Sequence, residues 1–325
     1  MRAEPFTILF ANVGRRVGLI RAFREAMGHM GLEGRILGVD ANPLSPAYYV
    51  TDESFPICRI QQETYIPALL EICRRQKVKL LISLLDTDLL KLAESRERFQ
   101  EQGTFALISS PKVVRLARDK ELTYGFFAAN RIPTPRILGH EAALRENSFP
   151  LFIKPLDGSA SQMTFRIDNR ESLLFFHSYV PNPIIMEYVS GDEYTLDIFI
   201  DLDQVVKAIV PRKRLEIRAG EVSKSQIELN PKIIAAGSKV AEALSQRGAL
   251  GIINLQCIYT ADGEVKFIEI NPRFGGGCPL SIYAGYPFPQ WAVELALGRT
   301  LSPLPANLGD GLTMLRYDEA VFVQP

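Results

Sequence analysis

The chain has 325 residues, too many for one ordinary core and enough for two or three lobes. Hydrophobic residues make up 47 %, so full cores can be buried, and Lys+Arg and Asp+Glu both number 37, a formal net charge of +0. No global field gathers nucleic acid or an acidic membrane surface, so any anion site must be local.

Thr7–Ala11 (TILFA) is a short continuous apolar run, the kind of strand buried in a parallel sheet. Gly14-Arg15-Arg16 cuts it off where a secretion signal needs a longer apolar core, and no stretch approaches the ~18 apolar residues of a membrane span. A soluble, cytoplasmic protein is the expectation. Leu19, Ile20, Phe23 and Ala26 then fall at helical spacing. Arg35–Val39 reads as a second strand ending at Asp40, Leu69–Ile72 as helix, Leu80–Leu84 as a strand running into Asp86-Thr87-Asp88, and Phe105–Ile108 as one more strand. Strands alternating with helices predict a doubly wound α/β lobe. A dinucleotide site is the rival for this lobe. Asp40 suits it, but the glycine fingerprint after the first strand is missing, because Gly14 is followed by two arginines. Arg15, Arg16, Asp40, Asp86 and Asp88 could all face the crevice at the strand ends. A solvated helix start is the equal alternative for the arginines.

Ser110-Pro111 opens a helix expected to run past Asp119-Lys120 to Phe127, and Ile132-Pro133-Thr134-Pro135 breaks it. The lobe boundary is placed there: residues 1–111 form the first domain and 112–325 the second, with a small lobe over about 130–190 and a large lobe over about 191–325. Phe149–Pro155 is a strand with Lys154 at its end, and Met163–Ile167 is the returning strand. The small residues between them, Ser159 included, can fold over phosphates, although no Walker A loop is present. Ile184–Val189 can offer main-chain groups to an adenine ring, and Glu193 can accept from ribose hydroxyls. The basic run from Val210 to Lys224 reads either as a clasp for an anionic substrate, with Arg212 in it, or as a solvated loop.

Val265–Ile270 is a strand on which Glu269 and Asn271 leave the same face. Asn254-Leu255-Gln256 lies on a second β-rich run, separated by Ala261-Asp262-Gly263, so a hairpin could bring the Gln256 oxygen beside them. One carboxylate and two amide oxygens suit a hard cation, Mg²⁺ or Mn²⁺; a solvated strand end is the bland alternative. Arg273 follows, and Gly275, Gly276 and Gly277 are expected to let backbone approach a ligand. The four cysteines, Cys58, Cys73, Cys257 and Cys278, form no CxxC pair and read as reduced thiols; the three histidines are scattered, so a His-based triad has little support.

Taken in order, Asp119-Lys120, IPTP at 132–135, FIKPLDGSAS at 152–161, MEYVSGDEYT at 186–195, PRKR at 211–214, NLQ at 254–256 and EINPRFGGG at 269–277 resemble the ATP-grasp superfamily. The resemblance is to the group similar to the carbamoyl-phosphate synthase large subunit and small carboxylate–amine ligases, and it covers nearly the whole chain. It implies a pre-ATP-grasp α/β domain followed by a two-lobed ATP-grasp domain. It implies that Lys120 and Lys154 touch ATP phosphates, that Ser159 belongs to a phosphate loop, and that Glu187, Tyr188 and Val189 form the adenine hinge. It further implies that Glu193 holds the ribose, Gln256, Glu269 and Asn271 hold magnesium, and Arg273 steadies the γ-phosphate. Arg273, Lys154 and Arg212 are the catalytic candidates. The activity implied is ATP-dependent C–N ligation of a small-molecule carboxylate and an amine, without nucleic acid or membrane partners. Only one synthase half is present, so a subunit needing a partner chain is an alternative, and a silent ATP-binding regulator is another. Related enzymes are often dimers, so a homodimer is allowed, though no interface signal stands out. No role carries over to Arg15 and Arg16.

Overall fold

The computed structural model describes residues 4–145, 148–156, 163–218, 220–306 and 308–324. The first lobe runs β1 (Phe6–Ala11), α1 (Val17–His29), β2 (Gly34–Asp40), β3 (Glu53–Pro56), α2 (Tyr65–Arg75), β4 (Leu80–Ser83), α3 (Leu89–Glu94), α4 (Arg96–Glu101) and β5 (Phe105–Ala106). Its five strands are parallel in the order β3-β2-β1-β4-β5. The continuous apolar run of β1 is buried on both sides because its alternate residues feed two cores. Phe6, Ile8 and Phe10 meet α1, whereas Leu9 and Ala11 meet the core that holds α2 and α3. On α1, Met27 rather than Ala26 completes the buried stripe with Leu19, Ile20 and Phe23. β5 is shorter than the run Phe105–Ile108.

The helix expected from Ser110 to Phe127 is two helices, α5 (Pro111–Arg118) and α6 (Lys120–Ala129). Asp119 is extended between them, and its carboxylate accepts from Leu122 N at 3.1 Å as the cap of α6. The small lobe follows: β6 (Ile137–Leu138), α7 (His140–Arg145), β7 (Leu151–Pro155), β8 (Phe165–Ile167), α8 (Arg170–Tyr179) and β9 (Pro183–Glu187), with sheet order β6-β9-β7-β8. The returning strand starts at Phe165, two residues later than expected.

The large lobe contains β10 (Asp192–Ile200), β11 (Val206–Arg218), β12 (Glu221–Ile227), α9 (Pro231–Ser245), β13 (Gly251–Tyr259), β14 (Val265–Asn271), α10 (Cys278–Tyr283), α11 (Phe288–Ala296) and β15 (Thr313–Leu315). Its six-stranded sheet has the order β14-β13-β10-β11-β12-β15. The basic run at 210–224 is therefore a β-hairpin, not a loop: β11 and β12 pair from Arg212↔Ile227 to Arg218↔Glu221. One face of the sheet is apolar and packs on α9, whose Gly237 lies against the Leu196 side chain where a Cβ would collide.

The first and large lobes share one core. Phe23 on α1 sits edge-to-face with Phe10 at 5.1 Å and with Phe274 at 5.4 Å. Ser110 N donates to Gly248 O at 2.8 Å, and Leu250 N donates to Ser109 Oγ at 3.0 Å. Among the described residues, no helix is long and apolar enough to cross a membrane. Phe23→Ala removes a fully buried ring at this junction and is expected to destabilise the chain by about 3–5 kcal/mol, read as a lower urea midpoint.

Candidate active site

The face of the large sheet opposite α9 is polar, and strand register explains why. Directly opposed residues in an antiparallel pair share a face. Asn271 opposes Asn254 and Glu269 opposes Gln256 between β14 and β13; Asn254 opposes Asp197 and Gln256 opposes Thr195 between β13 and β10; Thr195 opposes Arg212 between β10 and β11. Four strands thus lay amides, acids and an arginine side by side.

The expected hairpin is present, and it places the side chains of Gln256, Glu269 and Asn271 on one face. Among the described residues, no three His, Cys, Asp or Glu side chains are clustered to hold a metal. The donor set here is one carboxylate with two amide oxygens on rigid strands, which fits a hard, oxygen-preferring divalent cation.

Arg212 is held in place. Its Nε donates to Asp197 Oδ2 at 2.7 Å and its Nη2 to Asp197 Oδ1 at 2.9 Å, with the pair essentially unexposed. Asp197 also accepts from Asn254 Nδ2 at 2.7 Å and Ser281 Oγ at 2.6 Å. Burial pulls the Arg212 pKa down, but the Asp197 carboxylate more than offsets it and leaves it raised. Nη1 of Arg212 is buried without an acceptor and abuts Gly277. The solvated-loop alternative is thereby excluded: Arg212 sits on a strand, pinned by Asp197 within the sheet's polar face and at the cavity wall.

A cavity of about 390 Å³ lies over this face. It brings together Lys120, Lys154, Glu193, Gln256, Glu269 and Arg273, with Asn271 and Arg212 also on its wall; Glu187, Tyr188 and Val189 lie off it. Lys154 ends β7, and its Nζ donates to Tyr124 Oη at 3.0 Å. Burial depresses its pKa to about 8 against the opposing pull of Glu269. Lys120 Nζ donates to Leu156 O at 2.5 Å, at the edge of the segment containing Ser159, which lies outside the described residues. Glu187 is paired with Lys266 at 2.5 Å. The backbone N–H groups of Glu187 and Tyr188 donate to Arg136 O and Pro150 O, which leaves that of Val189 without an acceptor among the described residues. Arg214 Nε lies 3.2 Å from Glu193 Oε2 but is not aligned for a hydrogen bond, so the contact is a charge pairing only.

Arg273 reaches across the lobes. Its Nε and Nη2 both donate to Asp86 Oδ2, at 3.0 and 2.7 Å, and Oδ1 of Asp86 is buried without a partner. Of the other expected crevice acids, Asp40 accepts from Gly14 N and Asn42 N at 2.8 Å as a loop staple. Asp88 is fully buried among Asn12, Tyr65 and Ser83, and burial raises its pKa to about 6 against those hydrogen bonds. The three glycines line the cavity and also leave room for neighbouring side chains. A Cβ would collide with Asn254 at Gly275, with Arg16 Nη1 at Gly276 (2.5 Å) and with Arg212 at Gly277. Tyr124 and Asp197 were not singled out as site residues, and Arg16, expected only as a crevice candidate, lies on the cavity wall. Only Arg16 had a local signal, the Gly-Arg-Arg run after β1; the other two look like ordinary core and strand positions.

Two family models match the chain. The N-terminal domain of the PylC-like family matches residues 8–107, and a model described as ATP-grasp in the biosynthetic pathway with Ter operon matches residues 180–316. The chain is 23 % identical over 167 residues to D-alanine–D-alanine ligase of Fusobacterium nucleatum subsp. nucleatum, covering 49 % of this chain and 58 % of the ligase. It is 25 % identical over 259 residues to the carbamoyl phosphate synthase large chain of Pseudomonas putida, covering 73 % of this chain and 24 % of the synthase. It therefore spans less than two thirds of either relative. Among solved structures, the biotin carboxylase domain dimer of Hydrogenobacter thermophilus 2-oxoglutarate carboxylase, bound to MgADP, ADP and bicarbonate, aligns with a TM-score of 0.75 at 16 % identity, covering 96 % of this chain and 74 % of that one. N5-carboxyaminoimidazole synthetase of Staphylococcus aureus, bound to ADP, aligns at 0.74 and 14 % identity, covering 93 % and 80 %. At these identities the likeness is one of fold.

The buried Lys154 generates a pH prediction. Its folded pKa is about 8 and its ordinary value 10.5, so between them the unfolded chain binds the extra proton and stability rises with pH. Lys154→Met is expected to remove that rise, as read from urea midpoints of both chains on either side of pH 8.

Proposed function

The chain belongs to the ATP-grasp superfamily, and from that premise we propose that it is an ATP-dependent carboxylate–amine ligase. The observation that carries the reading is the meeting of Lys154, Gln256, Glu269 and Asn271 on one cavity. In the proposed reaction a substrate carboxylate oxygen attacks the γ-phosphorus of ATP and ADP leaves. The amine nitrogen then attacks the acyl carbon, phosphate leaves, and the nitrogen gives up a proton as the C–N bond forms. No covalent protein nucleophile is needed, so positioning and charge neutralisation do the catalytic work.

Lys154 and Lys120 are assigned to the nucleotide phosphates, with Ser159 in the phosphate loop. Lys154, desolvated beside Tyr124, is a strong electrostatic partner for an incoming phosphate. Glu187, Tyr188 and Val189 are assigned to the adenine hinge, where the Val189 N–H, without an acceptor among the described residues, is a suitable donor, and Glu193 to the ribose. Gln256, Glu269 and Asn271 would hold Mg²⁺, with Mn²⁺ an alternative; when bound, the cation neutralises charge on the phosphate oxygens. Arg273, held at one oxygen of Asp86, can turn part of its fork toward the transferred phosphoryl group. We place the enzyme in the cytoplasm, in keeping with four free cysteines, as a homodimer. A subunit that works with a partner chain is the second reading, favoured by the overlap with 24 % of a synthase large chain.

The test is phosphate release from MgATP across small carboxylates and amines, singly and in pairs. Release that requires one acid and one amine is the expected result, and release indifferent to both counts against ligation. Glu269→Ala should cut the paired release by at least about a hundredfold without lowering the melting temperature; unchanged turnover would remove Glu269 from the site.

A further inference from the structure

Arg16 lines this cavity, and the proposed chemistry assigns it no role. It precedes α1, its side chain is only 18 % exposed, and among the described residues none of its guanidinium N–H groups makes a hydrogen bond, although its backbone N–H donates to Val13 O at 3.0 Å. Its nearest acid is Glu221 on β12, 3.5 Å away. Glu221 is shared: Arg316 Nη1 donates to it at 3.0 Å and Arg15 lies 4.0 Å from it. Three guanidinium groups thus face one carboxylate in a chain of net charge +0. The Arg16 Nη1 also rests over Gly276, where any Cβ would come to 2.5 Å. Burial lowers the Arg16 pKa, Glu221 opposes this, and Arg273 lowers it further. A guanidinium largely withdrawn from water, with its nearest carboxylate shared among three arginines, gains from an added anion.

We propose that Arg16 reads a carboxylate that a substrate keeps through the reaction, and that Glu221 stands in for it when no substrate is bound. The proposal rests on the ligase reading. A spectator carboxylate suits the planar fork of Arg16, which can grip both of its oxygens. The carboxylate that is activated cannot serve, because it becomes an acyl phosphate. Two sources share this chemistry: the second carboxylate of a dicarboxylic acid, or the α-carboxylate of an amino-acid amine. Either would place the first lobe, through Arg16, in direct contact with substrate beside the Arg273–Asp86 pair.

The test uses the full chain loaded with MgADP, whose binding is first measured by thermal shift. Calorimetric titrations follow with every proteinogenic amino acid in both enantiomers and with succinate, malate and 2-oxoglutarate, each beside its carboxamide. At least one carboxylate should bind saturably while its carboxamide does not. Arg16→Gln should weaken that binding at least about tenfold and leave MgADP binding unchanged, which also reports an intact fold. Glu221→Gln should tighten it, since the competing carboxylate is gone. An amino acid as the responding ligand assigns the carboxylate to the amine, and a dicarboxylate assigns it to the acid. If MgADP binds and no carboxylate depends on Arg16, the inference is overturned while the ligase reading stands. If MgADP does not bind, the ligase reading falls and the inference falls with it.

Discussion

The buried pair of Arg212 and Asp197 is the constraint on which the site depends. Asp197 accepts four hydrogen bonds, from Arg212 on β11 twice, from Asn254 on β13 and from Ser281 on α10. One carboxylate therefore aligns two strands beside β10 and anchors the helix that follows the glycine run. Removing one partner of such a pair typically costs about 3–5 kcal/mol, because the other charge is left buried. The polar face above it, with Glu269 and Gln256 in register, keeps its geometry because these strands cannot slide past one another.

On the cavity wall, charged side chains are held in pairs, Arg273 with Asp86 and Arg214 with Glu193, and off it Lys266 pairs with Glu187. Each cation is kept in place by an acid, yet most of these pairs stay partly open to solvent. Such pairs are preorganised and inexpensive to rearrange, which suits a site that must accept a polyanion and release it. Lys154 differs because, among the described residues, no acid is hydrogen-bonded or ion-paired to it. Its burial therefore lowers its pKa, and a phosphate would be the group to restore its charge.

Each lobe packs on the large one through its own core. The first and large lobes share aromatic packing through Phe23 and Phe274, backbone hydrogen bonds at Ser110 and Leu250, and the Asp86–Arg273 pair. The connector before the small lobe is tied to β14 by Phe267 N donating to Pro133 O at 2.9 Å and by Thr134 Oγ1 donating to Phe267 O at 2.8 Å.

Much of this was legible in the sequence because it is local. The apolar run TILFA makes a buried strand wherever it is placed, and the spacing of Glu269 and Asn271 puts both on one face of any strand. The turn after Tyr259 brings Gln256 opposite Glu269 through the hairpin alone. The remainder depended on contacts between distant residues. Asp86 and Arg273 are 187 positions apart, and no pattern in either neighbourhood names the other. Arg212 read as a surface clasp because its neighbours are basic; only the pairing of β10 with β11 brings Thr195 opposite it and Asp197 within reach of its guanidinium. The glycines at 275–277 read as room for a ligand; they do line the cavity, but only the fold shows that Asn254, Arg16 and Arg212 pack against them as well. The sequence by itself determined the strands, their polar faces and the hairpin that holds Gln256, Glu269 and Asn271, because periodicity and turn chemistry act over a few residues. Only the tertiary structure decided which charges meet, because the partner of a buried charge is whichever group the packing of separate lobes brings within reach.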